Sequence, residues 1–217
     1  PLWIGINTAT GGLAAIAILP FVTRLAARVG TANLIVAGFA TMLVALNGFF
    51  LADAFWMWFP LRFAFSAAIT LIFALTEFWI NSLAPPQRRG FVVGVYTAFL
   101  SVGITAGPLI LALVGAEGYL PFLIGTTILA LAALPVVFVR SDEPVLGGGP
   151  APHLLSFLAL SPLAMLAAFT FGAVESGGTA LTPVYGHALG YSTQQAAILV
   201  SAVAVGNIIS QIPIGWL

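Results

Sequence analysis

Residues 33–51 read NLIVAGFATMLVALNGFFL, 19 residues without a single charge. Wound as an α-helix at 1.5 Å per residue, such a stretch covers about 28 Å, close to the ~30 Å hydrocarbon core of a bilayer. Apolar side chains fall on every face, so no amphipathic stripe marks a water-facing side. Working outward, six further stretches have the same character: 1–22, 54–81, 91–115, 119–139, 161–184 and 192–217. Hydrophobic residues make up 61% of the chain and charged residues 6%. A soluble domain carries roughly 25% charged residues, so this composition cannot cover a water-solvated surface. The expected fold is an all-α membrane protein, a polytopic bundle with about seven transmembrane helices. Helices are required because buried backbone groups in lipid must find partners within their own segment.

The same composition removes several function classes. The six basic residues are all arginine, balanced by six acids, and they form no basic cluster for nucleic acid. No lysine is present to carry a retinal Schiff base, and no cysteine to form a disulfide or a thiolate metal site. The two histidines, His153 and His187, are too far apart in sequence to suggest a metal centre. No phosphate-binding loop, serine-nucleophile elbow or zinc-helix motif occurs. The chain is therefore read as a non-enzyme that needs no cofactor and no metal.

The breaks between spans carry local signals. Asp53 stands where it would cap the third helix. Ser161-Pro162 reads as an N-cap with proline at the first helical position, and Ser192 with Gln195 reads as a capping box. Ala116-Glu117-Gly118 forms a tight turn. Residues 140–152, RSDEPVLGGGPAP, are polar and then rich in Gly and Pro, a composition that makes a flexible connector rather than a span. This divides the chain into an N-terminal bundle over 1–140, a central linker over 141–160 and the start of a second bundle over 161–217. Arg24 and Arg28 fall in the first gap, Arg88 and Arg89 in the third, Arg140 in the fifth. The even gaps hold Asp53, Glu117 and His187 and no arginine. The positive-inside bias places the odd gaps in the cytoplasm. The chain opens on Pro1 inside one apolar run and closes on Leu217 inside another, which reads as a fragment.

Three ionisable residues lie inside spans: Arg62, Glu77 and Glu175. Charge at a helix centre costs at least ~2.5–3.5 kcal/mol on insertion scales, and such residues mark cavities or partners. Arg62 and Glu77 share a helix but stand about 22 Å apart along it, so they do not pair. Arg62 either snorkels outward or sits in a cavity, where it holds an anion or relays a proton. Glu77 either reaches interfacial water beside Trp79 or gates. Glu175 lies past the midplane, before Ser176-Gly177-Gly178, where a weakened or broken helix would free backbone groups for solute. Gly103 and Gly107, followed by Pro108, would allow close helix approach and a kink. Asn7, Asn81, Asn207 and Gln211 are polar groups within spans that act as interhelical glue or line a cavity.

These residues also carry a family resemblance. Residues 23–31, TRLAARVGT, resemble the loop motif G-x-L-A-D-R-x-G-R of the major facilitator superfamily. Leu25, Ala26, Arg28 and Gly30 fit, while Thr23 and Ala27 stand where Gly and Asp are usual. Leu61-Arg62 with Ser66, Ala67 and Ala68 is similar to the family's helix 4 motif, and residues 85–90 to its loop between helices 4 and 5. Residues 103–108, GITAGP, resemble the helix 5 motif of its drug:proton antiporters, without the trailing glycines. Residues 215–217, GWL, look like the start of a second copy of the loop motif.

The resemblance implies helices 2 to 8 of an expected twelve. It implies a secondary transporter of a small solute, working by alternating access and coupled to protons, for efflux of a drug-like compound or uptake of a small metabolite, in a bacterial inner membrane and as a monomer. The site residues it favours are Arg62, Glu77, Glu175, Asn81 and Asn207 for substrate and proton coupling. Arg24, Arg28 and Gly30 would serve the cytoplasmic gate, and Gly103, Gly107 and Pro108 the helix 5 motif. The competing readings are a seven-helix receptor and a membrane-embedded enzyme or scramblase.

Overall fold

The computed structural model describes residues 2–138 and 162–214; the side chains of residues 2, 164, 168, 204, 207, 208 and 210–214 are outside that description. Every regular element among the described residues is helical. They are α1 (Leu2–Val29), α2 (Thr31–Leu51), α3 (Trp58–Leu83), α4 (Arg89–Val114), α5 (Leu120–Phe138), α6 (Pro162–Ala188) and α7 (Thr193–Ile214), with 3-10 turns at Phe55–Met57 and Pro86–Arg88. Five helices, α1 to α5, are long and apolar enough to cross a membrane. The other two run for 27 and 22 residues, enough for a ~30 Å core, although α6 carries the polar run from Glu175 to Thr179.

Two compact units divide the described residues. The first holds α1, α2, α3, the start of α4 to Val93, and α5; the second holds α4 from Gly94 together with α6 and α7. In the first unit α1 and α2 pack on α3, and α5 packs on α2. Its core is a cluster of Val22, Ala26, Leu34, Ile35, Leu71 and Leu75, with Ile35 and Leu75 almost wholly enclosed. Gly38 and Gly48 of α2 let α3 approach closely: a Cβ on them would lie 2.9 Å from Ile72 and 2.7 Å from Leu61. In the second unit Gly186 of α6 lies against Ala196 and Leu199 of α7, and the Ser201 hydroxyl of α7 donates to the Thr105 carbonyl of α4 at 3.4 Å.

Large apolar side chains point outward along every helix, with Leu113 at 86% and Phe138 and Leu163 at 81% exposure. Water would not tolerate so continuous a surface, whereas hydrocarbon is its natural solvent. The hydroxyls follow the same logic. Thr8, Thr41, Thr127 and Thr170 each donate to the carbonyl four residues earlier in their own helix, so a polar group at the surface brings its own acceptor.

Three local expectations are corrected. The first helix does not stop near residue 22 but runs to Val29, so Arg24 and Arg28 occupy its last turns and Gly30 alone joins it to α2. Packing of Val22, Leu25 and Ala26 on the core prolongs the helix, and arginine near a helix C-terminus complements the dipole. Asp53 does not cap α3. The turn at Phe55–Met57 intervenes, with Met57 as the cap position and no side-chain cap bond. Finally, α6 continues unbroken through Gly177 and Gly178. The Thr179 hydroxyl donates to the Glu175 and Ser176 carbonyls at 2.8 and 3.2 Å, and Thr182 to Gly178 at 2.6 Å, and a broken ladder in hydrocarbon would cost several kcal/mol per orphaned group, by order of magnitude about 2–7.

Other expectations hold. Ser192 and Gln195 form the reciprocal capping box: the Ser192 N–H donates to Gln195 Oε1 at 2.9 Å, and the Gln195 N–H to Ser192 Oγ at 3.3 Å. The turn between α4 and α5 places Gly115 and Gly118 at φ +88° and +73°. Pro162 opens α6. Arg140, the linker over 141–160, Ser161 and the motif at 215–217 lie outside the described residues.

Candidate functional site

Arg62 sits one turn into α3 and is half-buried. Its position is fixed by glycine on the neighbouring helix. A Cβ built on Gly11 of α1 would lie 2.9 Å from Ser66 Oγ and 3.9 Å from Arg62 Nε. The guanidinium stem therefore lies against α1 rather than directed away from the helix pair. Among the described residues it has no carboxylate partner, and Glu77, 15 residues on in the same helix, is about 22 Å along the axis.

The register of α1 against α3 places a second polar group at the same level. Two turns before Gly11 on α1, the Trp3 ring meets Phe55 and Trp56 at centroid distances of 5.9 and 5.5 Å, both edge-on. Asn7 lies midway between Trp3 and Gly11 on α1, one turn from each, and so on the same face as both. Contacts at 3 with 55–56 and at 11 with 66 bracket Asn7 at the height of Arg62. The Asn7 Nδ2 is enclosed and has no hydrogen-bond partner among the described residues. An enclosed donor left unpaired costs about 1–3 kcal/mol. Asn7 and the aromatic cluster of Trp3, Phe55, Trp56 and Phe59 depend on helix register, which no local pattern in the sequence announces.

The remaining predicted residues are less gathered. Glu77 is exposed near the C-terminal end of α3. Asn81, one turn further, donates its amide to the Glu77 carbonyl at 2.9 Å, so that donor is satisfied within its own helix. Arg24 and Arg28 are exposed on α1. Gly30 has φ +88° and serves as the N-cap of α2; its N–H donates to the Ala26 carbonyl at 2.9 Å, so one residue closes α1 and opens α2. In the second unit Glu175 is half-buried on α6, and the Asn207 side chain lies outside the described residues. Gly103 and Gly107 have nothing within 4 Å of an added Cβ among the described residues. They therefore mark no close approach there, and α4 runs on through Pro108 without interruption. No group of three metal-ligating side chains occurs among the described residues.

A different polar contact joins α2 to α5. The Tyr119 hydroxyl donates to Asn47 Oδ1 at 2.7 Å, and Asn47 Nδ2 donates to Thr126 Oγ1 at 3.0 Å and to the Leu43 carbonyl at 2.8 Å. Phe50 stacks obliquely on Tyr119 and Phe122, at 4.9 and 5.5 Å. This cluster ties the C-terminal end of α2 to the start of α5.

A bundle of apolar helices that carry only isolated charges is the framework of a multi-pass membrane protein, and the comparisons with known proteins specify which. The family model of the Major Facilitator Superfamily matches residues 2–217, and the chain belongs to that family. It is 30% identical over 204 residues to YfkF of Bacillus subtilis (strain 168), described as an uncharacterized MFS-type transporter. The match covers 91% of this chain and 52% of that relative, so the chain spans about half the length of the relative. Both findings point to transporters rather than enzymes.

Proposed function

We propose that the protein is a secondary active transporter that moves a small solute across a bacterial inner membrane by alternating access, coupled to protons. The observation that carries this reading is the family match over residues 2–217, joined to ionisable residues held within apolar helices. The stretches 1–140 and 161–217 are taken as belonging to the two halves that exchange access in transporters built from repeats. Arg62 and Glu175 act as cavity charges, with Glu77 and Asn81 at the inner end of α3 and Asn207 on α7 as further polar contributors. Arg24, Arg28 and Gly30 support closure on the cytoplasmic side.

The test is proton flux in proteoliposomes carrying an imposed pH gradient. Addition of a transported solute dissipates the gradient, and Glu175→Gln reduces that coupled flux at least about tenfold, the loss expected for an essential ionisable group, at normal membrane expression. Unchanged flux in Glu175→Gln removes that residue from the coupling path. Lipid or product turnover without solute accumulation replaces the transporter with a scramblase or an enzyme.

A further inference from the structure

The donors at the outer end of the α1–α3 seam have a chemical preference. Asn7 Nδ2 is a hydrogen-bond donor with no acceptor among the described residues. Register places it level with Arg62, a permanent cation with five N–H groups and no carboxylate among the described residues. Ser66 Oγ lies at the same seam, beside Gly11. Two nitrogen donors and a positive charge with no acid between them call for an anion. A guanidinium matches a carboxylate in particular, through two parallel N–H···O bonds.

What lies outward of these donors limits the rest of the ligand. Trp3 is four residues from Asn7, about 6 Å along the axis, and its ring abuts Phe55 and Trp56. That separation is the reach of a carboxylate joined to one aromatic ring. Trp3 and Trp56 are 51% and 66% exposed, so the aromatic mouth is open while the amide beneath it is closed. The same seam carries both: Trp3, Asn7 and Gly11 on α1 face Phe55, Trp56, Arg62 and Ser66 on and before α3. The contact of Trp3 with Phe55 and Trp56 lies at the end of the seam one turn before Asn7.

We propose that Asn7 and Arg62 form the polar floor of a subsite for a small organic anion, a carboxylate with an aromatic or apolar body, which enters by parting the Trp3–Trp56 contact. This deepens the transporter reading and rests on it for the movement of the ligand, but not for its binding. Asn7 sets specificity by supplying the second donor, while the aromatic mouth receives the body.

The test measures binding without transport. Tryptophan emission and thermal stability of the purified protein are followed while benzoate, benzyl alcohol or benzyltrimethylammonium is added. Benzoate is expected to shift the emission and raise the melting temperature, and the neutral and cationic analogues are not. Asn7→Asp places a carboxylate at the level of Arg62 and is expected to weaken the benzoate response at least about tenfold, the size of a lost charge-assisted bond plus repulsion. Asn7→Ser, a smaller polar residue, guards against misfolding and weakens it less. Equal responses to all three compounds, no response to benzoate, or an undiminished response in Asn7→Asp each overturns the proposal. Benzoate binding without solute-driven proton flux sinks the transporter reading and leaves the subsite standing; flux of other solutes without benzoate binding does the reverse.

Discussion

Asn47 is the residue whose environment is most completely specified, since both ends of its amide are engaged across a helix boundary, by Tyr119 and by Thr126. Hydrogen bonds between membrane helices average about 0.6 kcal/mol each. Asn47→Leu removes two of them, and is expected to lower stability by about 1 kcal/mol, or about 3 °C for a chain of this size. Tyr119→Phe removes one and costs about half as much, and the two losses are not additive because they share a bond. Thermal unfolding of the detergent-solubilised variants checks this; a full-sized loss in the double variant over the sum of the singles would contradict it. Arg62 was legible from the sequence because a lone charge in an apolar run stands out whatever its partners. Asn7 was visible only as one of four polar residues in spans, since the state of its Nδ2 depends on which helix it faces.

Helix seams follow glycines that the sequence does not distinguish from their neighbours. Gly38 is buried on α2, and a Cβ there would lie 2.9 and 3.1 Å from Ile72. Gly38→Val forces α2 and α3 apart, and overpacking of this kind costs about 1–3 kcal/mol. Gly12, with nothing within 4 Å, is the control: Gly12→Ala leaves stability unchanged or slightly higher, by up to about 1 kcal/mol from helix propensity. Melting temperatures of the two variants decide, and equal behaviour would refute the close seam. Gly103 and Gly107 have the spacing of a packing motif, yet an added Cβ at either meets nothing within 4 Å among the described residues. Spacing records that two small residues share a helix face, not that a second helix occupies it. The capping box at Ser192 and Gln195 was readable because its partners are three residues apart, so chain geometry alone brings them together. The unbroken α6 is not legible in the sequence, for the opposite reason. Weak helix propensity at Gly177-Gly178 matters in water, but lipid offers the backbone no alternative partner.

For the whole molecule, the membrane fold was legible because solvent preference is a property of composition, whereas helix packing was not, because apolar residues on every face leave no stripe to point the way. Sidedness has a direct test. The chain has no cysteine, so single replacements report without background. Ala54→Cys and Glu117→Cys are expected to react with an impermeant maleimide added outside, and Gln87→Cys only after the membrane is opened. Labelling of Gln87→Cys from outside would invert the arrangement. One joint in this arrangement has a consequence for how the protein is made. With Gly30 as the sole residue between α1 and α2, neither helix has slack to wait for the other. The growing chain must hand both to the lipid as one hairpin, and a few residues inserted at this elbow would uncouple their entry while leaving each span as greasy as before.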